Sequence, residues 1–197
     1  MGPVMPRIPY PSPDALDDEA RRCLEGVPPI NVLRMLSHSG PVLAGFGAFG
    51  HRILYSLELP PLLRELVIVR VGHLCRSAYE LAQHERFIRE LGMAPEKIAA
   101  IGAGAEHPAF SDVERAVLAF TDDVVTNVRA GDATLAEVSR HLPHRQVVEL
   151  IMTAGCYRML CMLLETTGVE IESGGDAHTL SQADWQQRMR PGAESSP

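Results

Sequence analysis

The chain has 197 residues, 46% of them apolar and 22% charged, with 25 acidic against 18 basic side chains and a formal charge of −7. That is enough chain for one domain with a sizeable core, and too apolar for a disordered protein. The acidic balance, with no run of Lys or Arg, argues against nucleic acid and anionic membrane as partners and leaves small molecules and other protein chains.

The start, Met1-Gly2-Pro3-Val4-Met5-Pro6, lacks the basic and apolar regions of a signal peptide, and no stretch approaches the ~18 uninterrupted apolar residues that span a bilayer, so a cytoplasmic protein is expected. Prolines at 3, 6, 9, 11 and 13 block a helix and predict an extended arm over residues 1–15, of a kind that lies on a neighbouring chain. Short helices are expected over 16–24, ended by Gly26 and Pro28-Pro29, and over 31–37. The glycines at 40, 45, 47 and 50 leave the next stretch as helix or close backbone packing, without a phosphate-loop pattern.

Pro60-Pro61 suits the first turn of a helix to about Leu74, whose apolar residues surround it and place it in the core. Val67 to Val71 alone would suit a strand, but the segment is continuous over about fourteen positions, long for one. Glu65 falls among Leu62, Ile68 and Val69 on the wheel, a carboxylate set for desolvation. A helix over 78–91 closes at Gly92, and Pro95 opens another through Ile101. Ser111-Asp112-Val113-Glu114 is a capping box before a helix ended by Gly131, and Thr134 with Glu137 repeats the pattern. Pro143 begins the longest apolar helix, stopped by Gly168. No strand alternation is evident, so the class is all-α: a helical domain over 16–172, then a polar tail over 173–197 with Trp185 as its one apolar anchor.

On the 78–91 helix, Leu81, Phe87, Ile88 and Leu91 share one arc and Glu85, Arg86, Arg89 and Glu90 the opposite one. Glu80 and His84, one turn apart, lie inside the apolar arc, where burial beside a charge shifts a pKa toward values useful for proton transfer. The bland alternative is that Ser77 and Glu80 form an S-x-x-E capping box and His84 is a satisfied core histidine. A metal reading of Glu80 and His84 lacks a third ligand at a convincing spacing. Cys23, Cys75, Cys156 and Cys161 form no C-x-x-C, and are read as buried free thiols.

The segment Arg64-Glu65-Leu66-Val67-Ile68-Val69-Arg70-Val71-Gly72, then Ser77-Ala78-Tyr79-Glu80-x-x-Gln83-His84, then Gly92-Met93 and Lys97-Ile98-Ala99-Ala100-Ile101, closely resembles the carboxymuconolactone decarboxylase family. Thr121-Asp122-Asp123, the apolar helix around Tyr157 and Thr167-Gly168-Val169-Glu170 fit as well, so that the resemblance covers roughly residues 41–170. It implies a multihelical alkylhydroperoxidase-D-like bundle, assembled as trimers or hexamers with pockets near subunit boundaries. In that family's peroxidase branch a C-x-x-C pair reduces peroxides; aligned on His84, its cysteines correspond to Ser77 and Glu80 here and its assisting glutamate to Glu65. A hydroxyl cannot cycle through a disulfide, and Cys75 stands two positions early without an evident resolving partner.

The decarboxylase branch, which needs no metal or organic cofactor, fits better. By that resemblance the chain is expected to be a cofactor-independent lyase or proton-transfer enzyme on a small carboxylated carbonyl or lactone compound. His84 would be the general acid/base, Glu80 the carboxyl that tunes it and Glu65 the orienting carboxylate, with Tyr79, Ser77 and Arg70 as substrate contacts. Two rival readings are a noncatalytic oligomeric scaffold or small-ligand binder, and a thiol-dependent peroxidase acting through Cys75.

Overall fold

A computed structural model describes residues 6–25, 27 and 30–172 of the chain. Helices α1 to α9 follow in order: Asp18–Leu24, Asn31–Leu36, Gly40–Tyr55, Pro61–Cys75, Ala78–Glu90, Pro95–Ala100, Asp112–Asn127, Asp132–His141 and His144–Thr167. Among the described residues there is no strand, as the all-α reading expects. The chain separates into two compact units, one from residues 1–56 with 164–197 and the other from 57–163. The first five residues of the arm, the Gly26 and Pro28-Pro29 stop and the tail with Trp185 lie outside the described residues.

In the first unit one carboxylate starts two helices. Asp17 accepts from the N–H of Ala20 at 2.7 Å, capping α1, and from that of Gly40 at 3.1 Å, at the start of α3. A Cβ at position 40 would stand 2.1 Å from Asp17 Oδ1, which explains why the residue is glycine. The glycine-rich stretch that the sequence left open is therefore part of a sixteen-residue helix. Positions 45 and 47 have room for a Cβ, so the glycines there do not reflect close packing. The described part of the arm lies along its own chain: Arg7 and Ile8 donate to the carbonyl of Thr167 at 2.7 and 3.3 Å, and Tyr10 Oη to Glu170 at 2.8 Å.

The second unit is organised around α4. Residues 64–72 are all buried, including two arginines and Glu65, and the helix packs against α5 and α7. A helix sheathed on every side loses the one-sided pattern that marks a surface helix. It ends at Arg76, in the left-handed region at φ 57, and Ser77 N–H returns to the carbonyl of Gly72 at 2.9 Å. Helix α5 buries Phe87 and Ile88 and leaves Arg89 and Glu90 exposed, as its wheel predicts, and closes on Gly92 at φ 92. The Ser111 box forms: its N–H and Oγ both donate to Glu114 at 2.7 Å.

Two expected boundaries shift. Helix α7 stops at Asn127, with Val128 in the left-handed region at φ 65, rather than running to Gly131. Gly131, at φ −64, is the N-cap of α8 and donates to Asp123 at 3.0 Å. Thr134 therefore lies inside α8, where it too hydrogen-bonds Asp123, while Glu137 pairs with Arg140 and His141; the second capping box does not form. Helix α9 is long and apolar enough to cross a membrane by length and composition, but half of its most apolar window is buried inside the protein, as in a core helix. Val148, Met152, Met159 and Met162 remain exposed along it.

Candidate active site

His84 stands between two carboxyl groups that reach it from different helices. Glu65, on α4 and fully buried, places Oε2 2.7 Å from Nδ1 of the ring, while Glu80, one turn before His84 on α5, places Oε2 3.6 Å from Nε2. Helix α4 supplies Glu65 from a fully sheathed position, so that carboxylate cannot turn to water. It is satisfied inside the fold instead, accepting from Arg64 Nε at 3.1 Å and Nη2 at 3.0 Å. Beside that guanidinium the carboxylate acts as acceptor for an Nδ1 hydrogen of the ring, and Nε2 faces Glu80.

Phe87 and Tyr157 stand edge-on to the imidazole, with ring centroids 5.4 and 4.8 Å away. In this setting burial dominates Glu80: it raises the carboxyl pKa, the His84 charge lowers it, Glu65 raises it again, and it ends at about 7. Burial also lifts Tyr157 well above the usual phenol range, with both carboxylates adding to the effect. The site therefore contains a carboxyl poised near neutrality, an oriented imidazole and a neutral phenol, a set that can donate and accept one proton within an apolar enclosure.

The bland reading of Ser77 and Glu80 is overturned. Ser77 is fully buried at the start of α5, but its Oγ caps nothing and makes no hydrogen bond. Its N–H is taken by Gly72 rather than by Glu80, whose carboxyl turns to His84. The fold thus brings Glu65, Glu80 and His84 together, with Ser77 at the start of the same helix. Tyr79 is buried at 4% exposure. Arg70 is committed elsewhere: Nε and Nη2 hold Asp122 at 2.6 and 2.9 Å, and Nη1 donates to the carbonyls of Ile101 and Gly102 at 3.0 and 2.9 Å. That leaves it a tie between helices, with little to offer a substrate.

Two members of the site carried no signal of their own in the sequence. Arg64 is simply the neighbour of Glu65, and Tyr157 is one aromatic among the apolar positions of α9. Among the described residues no group of three or more His, Cys, Asp or Glu is arranged to hold a metal ion. An open groove of about 520 Å³ lies elsewhere in the unit, lined by Val124, Val128, Leu135, Ile151 and Arg158 among others, and no member of the His84 cluster lines it.

Residues 41–123 match the model of the carboxymuconolactone decarboxylase family, a span that includes Glu65, Ser77, Glu80 and His84. No curated protein matches the sequence. Among solved structures, an uncharacterized peroxidase-related protein from Ralstonia eutropha JMP134, with an alkylhydroperoxidase AhpD core, superposes with a TM-score of 0.74 at 19% identity, over 92% of this chain and 98% of that one. An uncharacterized peroxidase-related protein from Silicibacter sp. TM1040 gives 0.75 at 19% identity, over 88% and 95%. The debrominase Bmp8, in complex with 2,3,4-tribromopyrrole, gives 0.69 at 15% identity, over 91% and 97%. At these identities the likeness establishes an AhpD-like fold.

Proposed function

We propose, from the match of residues 41–123 to the carboxymuconolactone decarboxylase family model, that the chain is a cofactor-independent lyase or proton-transfer enzyme acting on a small carboxylated carbonyl or lactone compound. The observation that carries this reading is the Glu65–His84–Glu80 arrangement, 2.7 Å on one side of the ring and 3.6 Å on the other. Loss of CO₂ from such an acid leaves the electrons of the broken C–C bond in an enolate, which is quenched by one proton delivered to carbon. His84 Nε2 is the group that delivers it. Glu65 holds the ring by Nδ1–H and stabilises the charged imidazolium, and Glu80, with its pKa near 7, exchanges the proton with Nε2 at little cost. Ser77 Oγ, buried without a partner, is the donor left over for a substrate oxygen.

A second reading, the noncatalytic scaffold or binder, is favoured by one observation: His84 is only 6% exposed, with Phe87 and Tyr157 edges against it. The test is hydrogen exchange and CO₂ release from small keto acids and unsaturated lactone acids in D₂O, followed by NMR. Deuterium entering carbon with the wild type and not with His84→Gln supports the enzyme. No exchange in any of these compounds supports the scaffold.

The reading also includes a homo-oligomer, trimeric or hexameric, in the cytoplasm. Its support is the exposed apolar stripe of α9, since Val148, Met152, Gly155, Met159 and Met162 follow the 4-3-4-3 spacing of a helix seam. Four free thiols suit a reducing compartment. Sedimentation at micromolar concentration tests the assembly, and a stable monomer would refute it.

A further inference from the structure

The open groove of about 520 Å³ at the end of α7, the start of α8 and the middle of α9 takes no part in the acid–base site. Its size is that of a small-molecule site, roughly 300–1,000 Å³. Buried Phe120, Val125 and Ala154 form an apolar floor, and exposed Val128, Leu135 and Ile151 form apolar lips. Val128 is held there under strain. It adopts the left-handed conformation at φ 65, which a β-branched side chain disfavours, and it is 80% exposed, so packing within the chain offsets little of that strain. Strain of this kind clusters where a ligand is gripped. One cation of the lining is uncommitted. Arg129 leans toward Asp132 at 3.8 Å, both of them well exposed. Arg158, half-buried and following Ile151 and Ala154 on one face of α9, has neither a hydrogen bond nor an ion pair with any described residue. A guanidinium with its donors free beside an apolar floor is a fork for a carboxylate.

We propose that this groove is a second small-molecule site, binding a monocarboxylate with an unbranched apolar chain of medium length: Arg158 takes the carboxylate, and the chain lies between Val128, Leu135 and Ile151. The two ends of such a ligand match the two chemistries of the lining. The chain covers apolar side chains that water now touches, and the carboxylate gives Arg158 the partner that the fold does not. Asp132 also lines the groove, but its side chain is 99% exposed and directed to Arg129, where water and salt screen it from a bound anion. A neutral apolar molecule would leave the Arg158 guanidinium half-buried and still unpaired, and a cation would be repelled by it. None of the Glu65, Glu80 and His84 side chains lines the groove, so this site stands or falls separately from the lyase reading.

The test is isothermal titration calorimetry of the full chain with octanoate, decanoate and 1-decanol, each below its micellar or solubility limit. Decanoate should bind once per chain. Octanoate, two methylenes shorter, should bind about fifteenfold more weakly, because each methylene taken out of water is worth about fourfold. The uncharged 1-decanol should bind at least about tenfold more weakly than decanoate, for want of the charged hydrogen bonds to Arg158. Arg158→Met keeps the apolar stem and removes the fork, so it should abolish the preference for decanoate over 1-decanol. Val128→Gly removes a lip and frees the backbone, and should weaken decanoate severalfold. His84→Gln should bind decanoate as the wild type does. Absence of decanoate binding, or equal binding of decanoate and 1-decanol, would overturn the proposal on the wild type alone. Full decanoate affinity in Arg158→Met or Val128→Gly would overturn it as well, and loss of binding in His84→Gln would move the ligand to the acid–base site. Binding that disappears as protein concentration rises would assign the groove to a second copy of the chain instead.

Discussion

Ser77-Ala78-Tyr79-Glu80 and Ser111-Asp112-Val113-Glu114 carry the same S-x-x-E pattern at the start of a helix in the same unit, and they do opposite things. At 111 the serine is exposed, both its donors go to Glu114, and Lys97 adds its ammonium at 2.8 Å. Burial pulls the Glu114 carboxyl upward, but the bonds from Lys97 and Ser111 outweigh it and lower its pKa. At 77 the serine is buried, its hydroxyl has no partner, and the glutamate turns away from the helix start to face an imidazole, its pKa raised to about 7. The difference lies in what surrounds each motif. A capping box needs its carboxyl free to fold back over the first turn, and the Ser77 turn sits against α4, whose Glu65 fixes His84 as a competing partner for Glu80.

Six substitutions break or sharpen that contrast. The largest effect belongs to His84→Gln, which keeps the size and one hydrogen bond but cannot shuttle a proton; turnover of any substrate found should fall by ~10²–10⁴ while the circular dichroism spectrum is unchanged. Next is Glu65→Leu. It leaves Arg64, 4% exposed, without its carboxylate and His84 without its holder, and should cost about 3–5 kcal/mol in urea unfolding. No loss of stability would mean that Glu65 is not the internal anchor of the site.

The two glutamates should also give opposite pH slopes. Glu80 gives up its proton at about 7 when folded and at about 4.5 when unfolded, so the folded state binds the extra proton between those values. Its contribution is fully present below pH 4.5 and is lost as the pH rises through 7. Glu80→Gln, which mimics the protonated form, should therefore be more stable than the wild type at pH 8, by up to on the order of 3 kcal/mol, and no more stable near pH 4.5. Glu114, with its folded pKa lowered, contributes above its unfolded value of 4.5 and loses that contribution as the pH falls through the folded one. Glu114→Gln should therefore match the wild type in acid and fall below it at neutral pH. Thermal unfolding across the pH range reads both slopes.

The smallest effect is the most specific to the motif. Ser111→Ala removes a working cap and should destabilise by about 1 kcal/mol. Ser77→Ala removes a buried hydroxyl that bonds to nothing, and should be neutral or stabilising by up to about 1 kcal/mol. Equal losses from the two substitutions would restore the capping interpretation at 77.

Much of this was legible in the sequence where one-dimensional spacing reports three-dimensional proximity. The i, i+4 distance put Glu80 and His84 on one face, and the apolar surround of α4 announced that Glu65 would be desolvated. Helix stops at Gly92 and Gly168 were legible because a left-handed residue there demands glycine. What was not legible depends on contacts between distant segments. Gly40 is glycine because Asp17 stands against it, the arm is held by Thr167, and Tyr157 reaches His84 from α9. Even a local motif failed at Ser77, where a neighbouring helix outcompeted the cap, and again at Thr134, where Asp123 took the hydroxyl.

The central claim is that Glu80 is a proton-holding carboxyl facing His84. It is tested most directly by an infrared titration of the wild type minus Glu80→Gln, following the protonated-carboxyl band as pH rises. The band should persist in the folded protein until the pH approaches 7 and then disappear with that midpoint. A midpoint near 4.5, the value of an ordinary glutamate, would contradict it.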